Sequence, residues 1–181
     1  MIICTENNIP LNAKVYIHAT DTCYGFATRF DDENGINIIK EIKGREELKP
    51  FSLLFKDFEM LENFCEINKK QKEFILSKKD PSSFILPKRE ILKDYFPKEK
   101  NVCVRIENNN FPVKLSSILK VPVTSTSVNR SSMPPLYNSD EIITEFKNET
   151  DNLIFINSEN LKKIPSSNIW DLTIFPYKKI R

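Results

Sequence analysis

A chain of 181 residues with 40% hydrophobic content can bury one sizeable core and is too apolar to be disordered, so a single domain over residues 1–181 is expected. Its 27 lysines and arginines against 25 acidic residues leave a formal charge of +2, which excludes a strong field drawing the whole protein onto nucleic acid or an anionic membrane. Four cysteines without a C-x-x-C pair, and one histidine, make no zinc ligand set, and no stretch has the length and apolarity of a membrane span.

At the N-terminus, M-I-I-C-T-E-N-N lacks a basic leader, and a cytoplasmic protein with reduced thiols is expected. Residues 14–19 form a short apolar run with β-branched and aromatic members, which predicts a buried strand. It opens into Thr20-Asp21-Thr22-Cys23-Tyr24-Gly25. Two hydroxyls and a carboxylate closed by glycine suit a site loop at a sheet rim, or equally a turn whose side chains satisfy backbone groups. Residues 31–33 supply cap chemistry for a helix with Ile36, Ile39 and Ile42 on one face, ending near Gly44. Lys40, Lys43, Arg45 and Lys49 crowd that helix exit, just before an apolar strand over residues 51–55. Such a cluster can clamp a polyanion such as a triphosphate, or be a solvated basic turn.

Asp57 caps the next helix, with Phe58, Leu61, Phe64 and Cys65 recurring at helical spacing, and residues 69–77 form a second amphipathic segment. Lys78-Lys79-Asp80-Pro81 breaks the chain ahead of a strand over residues 83–86. The strand N-V-C-V-R-I over residues 101–106 holds one charge, Arg105, costly there unless it meets an anion or a carboxylate such as a nearby Glu. Pro112 opens a short helix reaching Leu119. Residues 121–123 start a strand that runs out into Thr124-Ser125-Thr126-Ser127-Val128-Asn129-Arg130-Ser131-Ser132, whose hydroxyls, amide and guanidinium offer donors to phosphate or carboxylate oxygens, or form a polar surface loop. Ser139 begins a helix with Ile142, Ile143 and Phe146 inward, residues 152–156 form a strand, residues 164–173 form a turn feeding a strand, and residues 177–181 are a basic tail. Strands alternating with helices, without repeat or linker, predict one α/β sheet. His18, with no identifiable charge partner, is read as packed core rather than a general base, and Trp170 as core rather than an adenine platform.

The ordered set T-D-T-C-Y-G, K-G-R, V-C-V-R-I, S-T-S-V-N and P-S-S-N-I-W-D-L-T resembles the YrdC-type threonylcarbamoyl-AMP synthases from about residue 15 to 181. The resemblance implies a YrdC-like twisted open mixed sheet with flanking helices and a concave basic cavity. It implies synthesis of L-threonylcarbamoyladenylate and pyrophosphate from L-threonine, bicarbonate or CO2 and ATP, with Mg2+ accompanying the ATP. Downstream partners would be proteins that transfer the threonylcarbamoyl group to the adenosine next to the anticodon in tRNA.

Position by position, Lys43 and Arg45 match the K-x-R that contacts the nucleotide phosphates and carries the catalytic role. Lys49, Ser125, Ser127, Asn129 and Arg181 match the remaining ATP contacts. Thr20, Thr22, Arg105 and Ser166 match the threonine contacts, with Arg105 facing the carboxylate. No protein metal ligand is implied. Joining a carbamate to the α-phosphorus of ATP brings two anions together, and cations with oriented hydroxyls accomplish that without a nucleophilic side chain. The chain departs from the family at Ala19, where proline is usual, at Asp80, where replacing a turn glycine could narrow the cavity or shift ATP affinity, and at Ser167, which replaces threonine. The alternatives are a module of this fold that binds RNA or tRNA, double-stranded or weakly, without synthesis, and a paralogue acting on another carbamoyl or acyl adenylate.

Overall fold

The computed structural model describes residues 1–44, 51–92 and 100–181, so Arg45 and Lys49 lie outside the described residues. Ten strands occur among the described residues. They are β1 (Ile2–Cys4), β2 (Val15–Ala19), β3 (Tyr24–Ala27), β4 (Ser52–Phe55) and β5 (Ser82–Pro87). β6 (Asn101–Ile106), β7 (Val123–Ser127), β8 (Leu153–Ile156), β9 (Asn168–Asp171) and β10 (Lys178–Lys179) complete them. They form one mixed sheet in the order β1-β8-β2-β3-β7-β4-β6-β5-β9-β10. The pairs β1·β8, β8·β2, β4·β6 and β5·β9 are parallel and the others antiparallel, giving the expected open mixed α/β sheet.

Among the described residues five α-helices flank it: α1 (Glu33–Lys43), α2 (Phe58–Phe64), α3 (Lys69–Leu76), α4 (Leu115–Leu119) and α5 (Ser139–Phe146). The cap chemistry is as the residue types require. Asp32 accepts from the Gly35 N–H at the start of α1, Gly44 closes that helix at φ 58°, and Asp57 accepts from the Met60 N–H at the start of α2. Gly35 has a second reason to be glycine. A Cβ there would lie 2.6 Å from the Lys14 carbonyl oxygen and 2.1 Å from Thr28 Oγ1, so only a bare backbone lets α1 sit this close to the sheet.

Two apolar clusters result. One joins Tyr16, Ile17, Phe26, Ile39, Phe146 and Phe155 beneath α1 and α5, and the other joins Leu53, Phe55, Leu61, Phe64, Phe84 and Val104 beneath α2 and α3. Trp170 belongs to the second, edge-on to Phe74 at 5.1 Å, as a packing residue. No helix among the described residues is long and apolar enough to cross a membrane.

The structure corrects several expected boundaries. α4 begins at Leu115, three residues after Pro112, because Glu107 caps it: its carboxylate accepts from the N–H groups of Ser116 and Ser117 at 2.6 and 3.0 Å. Strand β7 runs through Ser127, so its hydroxyls stand on the sheet rather than in a loop beyond it. Tyr24 and Gly25 open β3, a strand that the loop signals of residues 20–25 concealed, and β1 and β10 are short edge strands.

Candidate functional site

Small residues on one face of the central strands leave a hollow of about 220 Å³. Partners in register share a face, and the pairs Gly25↔Ser127 and Ser52↔Ser125 pave its floor across β3, β7 and β4. Ser83 of β5, paired with Ile169 of β9, extends the floor toward the far edge. The walls come from Thr20, Thr22, Arg105, Tyr137, Ser166, Ser167 and Arg181. A large side chain at any of the floor positions would fill the space, so the hollow follows from their small size.

The loop between β2 and β3 satisfies both readings of its sequence. Thr20 Oγ1 donates to the Cys23 carbonyl at 2.7 Å and accepts from the Thr22 and Cys23 N–H groups at 3.2 and 3.3 Å, which builds the turn. The same turn aims Thr20 and Thr22 into the hollow. Asp21 is the carboxylate that Arg105 needs: the Arg105 Nη2 donates to Asp21 Oδ1, both side chains being almost fully buried. The sequence left the partner open as an anion or a carboxylate such as a nearby Glu; it is the carboxylate of this loop Asp. Arg105 also lies 5.2 Å from the Phe111 ring, and its buried Nε has no hydrogen-bond partner among the described residues. Arg181 donates from Nε and Nη2 to the Ser167 carbonyl at 3.2 and 3.1 Å, which carries the last guanidinium into the hollow, while Ser83 Oγ and Ser167 Oγ are 2.9 Å apart. Two guanidiniums facing a ring of hydroxyls suit carboxylate or phosphate oxygens.

Lys43 and Asn129 do not line this hollow; they stand behind Ser127. The buried Lys43 ammonium donates to the Ser127 carbonyl, to the Asn129 carbonyl at 3.0 Å and to Asn129 Oδ1 at 2.6 Å. Ser127 Oγ donates to the same Asn129 Oδ1 at 2.8 Å. The Ser131 N–H donates to the Lys43 carbonyl at 2.7 Å, and Arg130 donates to the Ile42 carbonyl while reaching Glu145 and Glu149 on the other side. The last carbonyls of α1, orphaned by the helix end, are thereby satisfied by the loop after β7. Lys43 of K-x-R and Ser127 and Asn129 of S-x-N are thus joined in space by hydrogen bonds to one another.

The structure therefore brings Thr20, Thr22, Arg105, Ser125, Ser127, Ser166 and Arg181 to one cavity, with Lys43 and Asn129 supporting it. Asp80 is elsewhere, in a separate hollow of about 210 Å³ with Lys78 and Phe58, so it does not narrow the cavity. Ser52, Tyr137, Gly25 and Cys23 were not singled out individually as site residues; strand pairing puts Gly25 and Ser52 there, the turn between β2 and β3 puts Cys23 there, and the chain ahead of α5 puts Tyr137 there. Burial pushes the Cys23 thiol up, with Thr22, Arg105 and Lys43 acting the other way, so the thiol stays protonated.

Fold and hollow together define an α/β domain with a polar cavity on one face of its sheet. The chain belongs to the Sua5, YciO and YrdC family, whose profile, described as telomere recombination, matches residues 11–181. A Methanocaldococcus jannaschii protein, provisionally named threonylcarbamoyl-AMP synthase, is 32% identical over 148 residues, covering 81% of this chain and 69% of that one. The threonylcarbamoyl-AMP synthase of Pseudoalteromonas atlantica is 24% identical over 77% of each chain. Among solved structures, Pyrococcus abyssi Sua5 complexed with L-threonine superposes with a TM-score of 0.81 at 25% identity, covering 94% of this chain and 51% of that one. Escherichia coli YciO gives 0.78 at 19% identity, over 99% of this chain and 92% of its own. The chain thus spans about half the length of the Pyrococcus Sua5.

Proposed function

We infer that the chain is a threonylcarbamoyl-AMP synthase, a nucleotidyltransferase acting on L-threonine, bicarbonate or CO2 and ATP. The observation that carries this is the convergence of Arg105, Arg181 and the hydroxyls of Thr20, Thr22, Ser125, Ser127 and Ser166 on one cavity, in a family whose named relatives are such synthases. In this reading the threonine amine adds to CO2 with loss of a proton, the carbamate oxygen attacks the α-phosphorus, and pyrophosphate leaves. Arg105 holds the threonine carboxylate, and Arg181 with Ser125 and Ser127 faces the nucleotide. Lys43 and Asn129 fix the Ser127 loop, and Arg45 and Lys49 keep their expected nucleotide roles. In this reading Mg2+ accompanies the ATP, carried on its phosphate oxygens. The product goes to proteins that modify tRNA, in the cytoplasm.

The test is pyrophosphate release from Mg2+-ATP in the presence of bicarbonate and labelled threonine, with recovery of a labelled adenylate. Release that depends on threonine is expected, and its absence overturns the reading. Arg105→Ala is expected to raise the threonine KM by about tenfold or more, the scale of a lost charge-assisted hydrogen bond, and to change the ATP KM little. Equal effects on both substrates would remove Arg105 from the carboxylate.

A further inference from the structure

Thr20 and Thr22 of the turn between β2 and β3 line the hollow, while Asp21, between them, does not. The Asp21 side chain is only 3% exposed, and its carboxylate meets the Arg105 guanidinium of β6. Among the described residues it is the one carboxylate that Arg105 meets. The other neighbours carry no negative charge: the Phe111 ring lies 5.2 Å from Arg105, and the buried His18 is neutral. Desolvating two charges cancels much of their attraction, so stability alone is a weak reason for a buried ion pair at this place.

The guanidinium supplies a better one. Arg105 itself lines the hollow. Its Nη2 donates to Asp21 Oδ1 and its Nε is buried, which leaves Nη1 as the group that a ligand meets. Asp21 cannot easily shift, because its turn is tied: the Thr20 N–H donates to the Cys23 carbonyl at 3.1 Å, and Thr20 Oγ1 lies 3.1 Å from Thr22 Oγ1. An unattached arginine samples many rotamers, and a ligand that has to immobilise it binds more weakly; Asp21 immobilises it in advance. The same carboxylate cancels part of the positive charge that an anion would feel. Orientation outweighs that loss, since an uncompensated cation buried near His18 and Phe111 would leave its place for solvent.

We propose that Asp21 is a positioning residue for the amino-acid substrate: held by its turn, it fixes the Arg105 guanidinium so that Nη1 meets the substrate carboxylate. The identity of that substrate rests on the reading of the preceding subsection. Because Asp21 is no part of the lining, its effect on the ligand passes through Arg105 and concerns the carboxylate alone.

Calorimetric titration of the full chain tests this with L-threonine, with L-threoninamide, which lacks the carboxylate, and with ATP. Asp21→Ala is expected to weaken threonine binding about tenfold or more, the scale of a lost charge-assisted hydrogen bond, while threoninamide and ATP bind as they do to the parent. The preference for threonine over threoninamide then shrinks by the same factor, which a general loosening of the fold would not produce. Asp21→Asn keeps an acceptor at Oδ1 and is expected to bring threonine affinity back to within about threefold of the parent. Threonine affinity unchanged or raised in Asp21→Ala, an equal loss for threoninamide, or an Asn variant no better than the Ala variant overturns the proposal and leaves the synthase reading standing. Should Asp21→Ala not fold, Arg105→Ala is compared with Arg105→Ala/Asp21→Ala, which removes both charges. Equal threonine affinities are expected there, and a further loss of about fivefold or more in the double variant overturns the proposal. A parent that releases no pyrophosphate, yet whose threonine binding responds to Asp21 as expected, removes the synthase reading alone; a parent that binds no threonine overturns both.

Discussion

Burial sets the charge of His18. Desolvation lowers its proton affinity to about 4, and the positive Arg105 pushes the same way. In an unfolded chain the same ring titrates near 6.5, so between these values the unfolded state binds more protons than the folded one. The sign follows from that difference. This residue's share of stability is present above about pH 6.5 and is lost as pH falls toward 4, up to about 3 kcal/mol across the window. Urea unfolding at pH 7, 5.5 and 4.5 is expected to show His18→Phe losing less stability on acidification than the parent. Parallel slopes would mean that the ring is solvated in the folded protein. Arg105 is the opposite case at this scale: a buried guanidinium paired with Asp21 of the turn between β2 and β3.

At the scale of elements, the C-terminus of α1 and the loop after β7 behave as one piece. Lys43 places its ammonium among three oxygens of that loop and lies 5.7 Å from the Phe26 ring, so its side chain is structural before any ligand arrives. Lys43→Met keeps the aliphatic stem and strands those buried acceptors. A loss of about 2 kcal/mol or more is expected, read as a fall of about 4–8 °C in Tm, together with weaker ATP binding. A variant with the parent Tm would return Lys43 to a purely ligand-facing role. The elements here were legible where a local pattern sufficed: Asp32, Asp57 and Gly44 mark their helix ends, and the apolar runs of β2, β4, β6 and β8 read as strands. Tyr24-Gly25 did not read as a strand, because its place is set by Ala19↔Tyr24 and Gly25↔Ser127 pairing across the sheet rather than by its own residues. For the same reason the resemblance could point to Ser125 and Ser127, while Ser52 became visible only through its pairing with Ser125.

At the scale of the molecule, the hollow lies where the two apolar clusters meet. Its floor includes Gly25 and Ser127 from strands backed by the first cluster and Ser52 and Ser83 from strands backed by the second. Strands β7 and β4 join the two halves through Ser52↔Ser125, Leu53↔Thr124 and Leu54↔Val123. A ligand in the hollow touches both halves at once, so its binding energy opposes their separation as well as the unfolding of either. Binding confined to the folded state stabilises it by about 2.7 kcal/mol at a ligand concentration of 100 Kd. For a chain of this length that is a rise of about 5–10 °C in Tm. Scanning calorimetry with saturating L-threonine is therefore expected to move one transition upward as a whole. If instead the heat absorption splits and only one component moves, the halves unfold independently and the ligand is held by one of them, which would contradict a site shared across the β7·β4 seam. Repeating the scan with Arg105→Ala separates the causes: the unliganded transition changes with the lost Asp21 pair, while the threonine-dependent rise shrinks only if Arg105 holds the ligand.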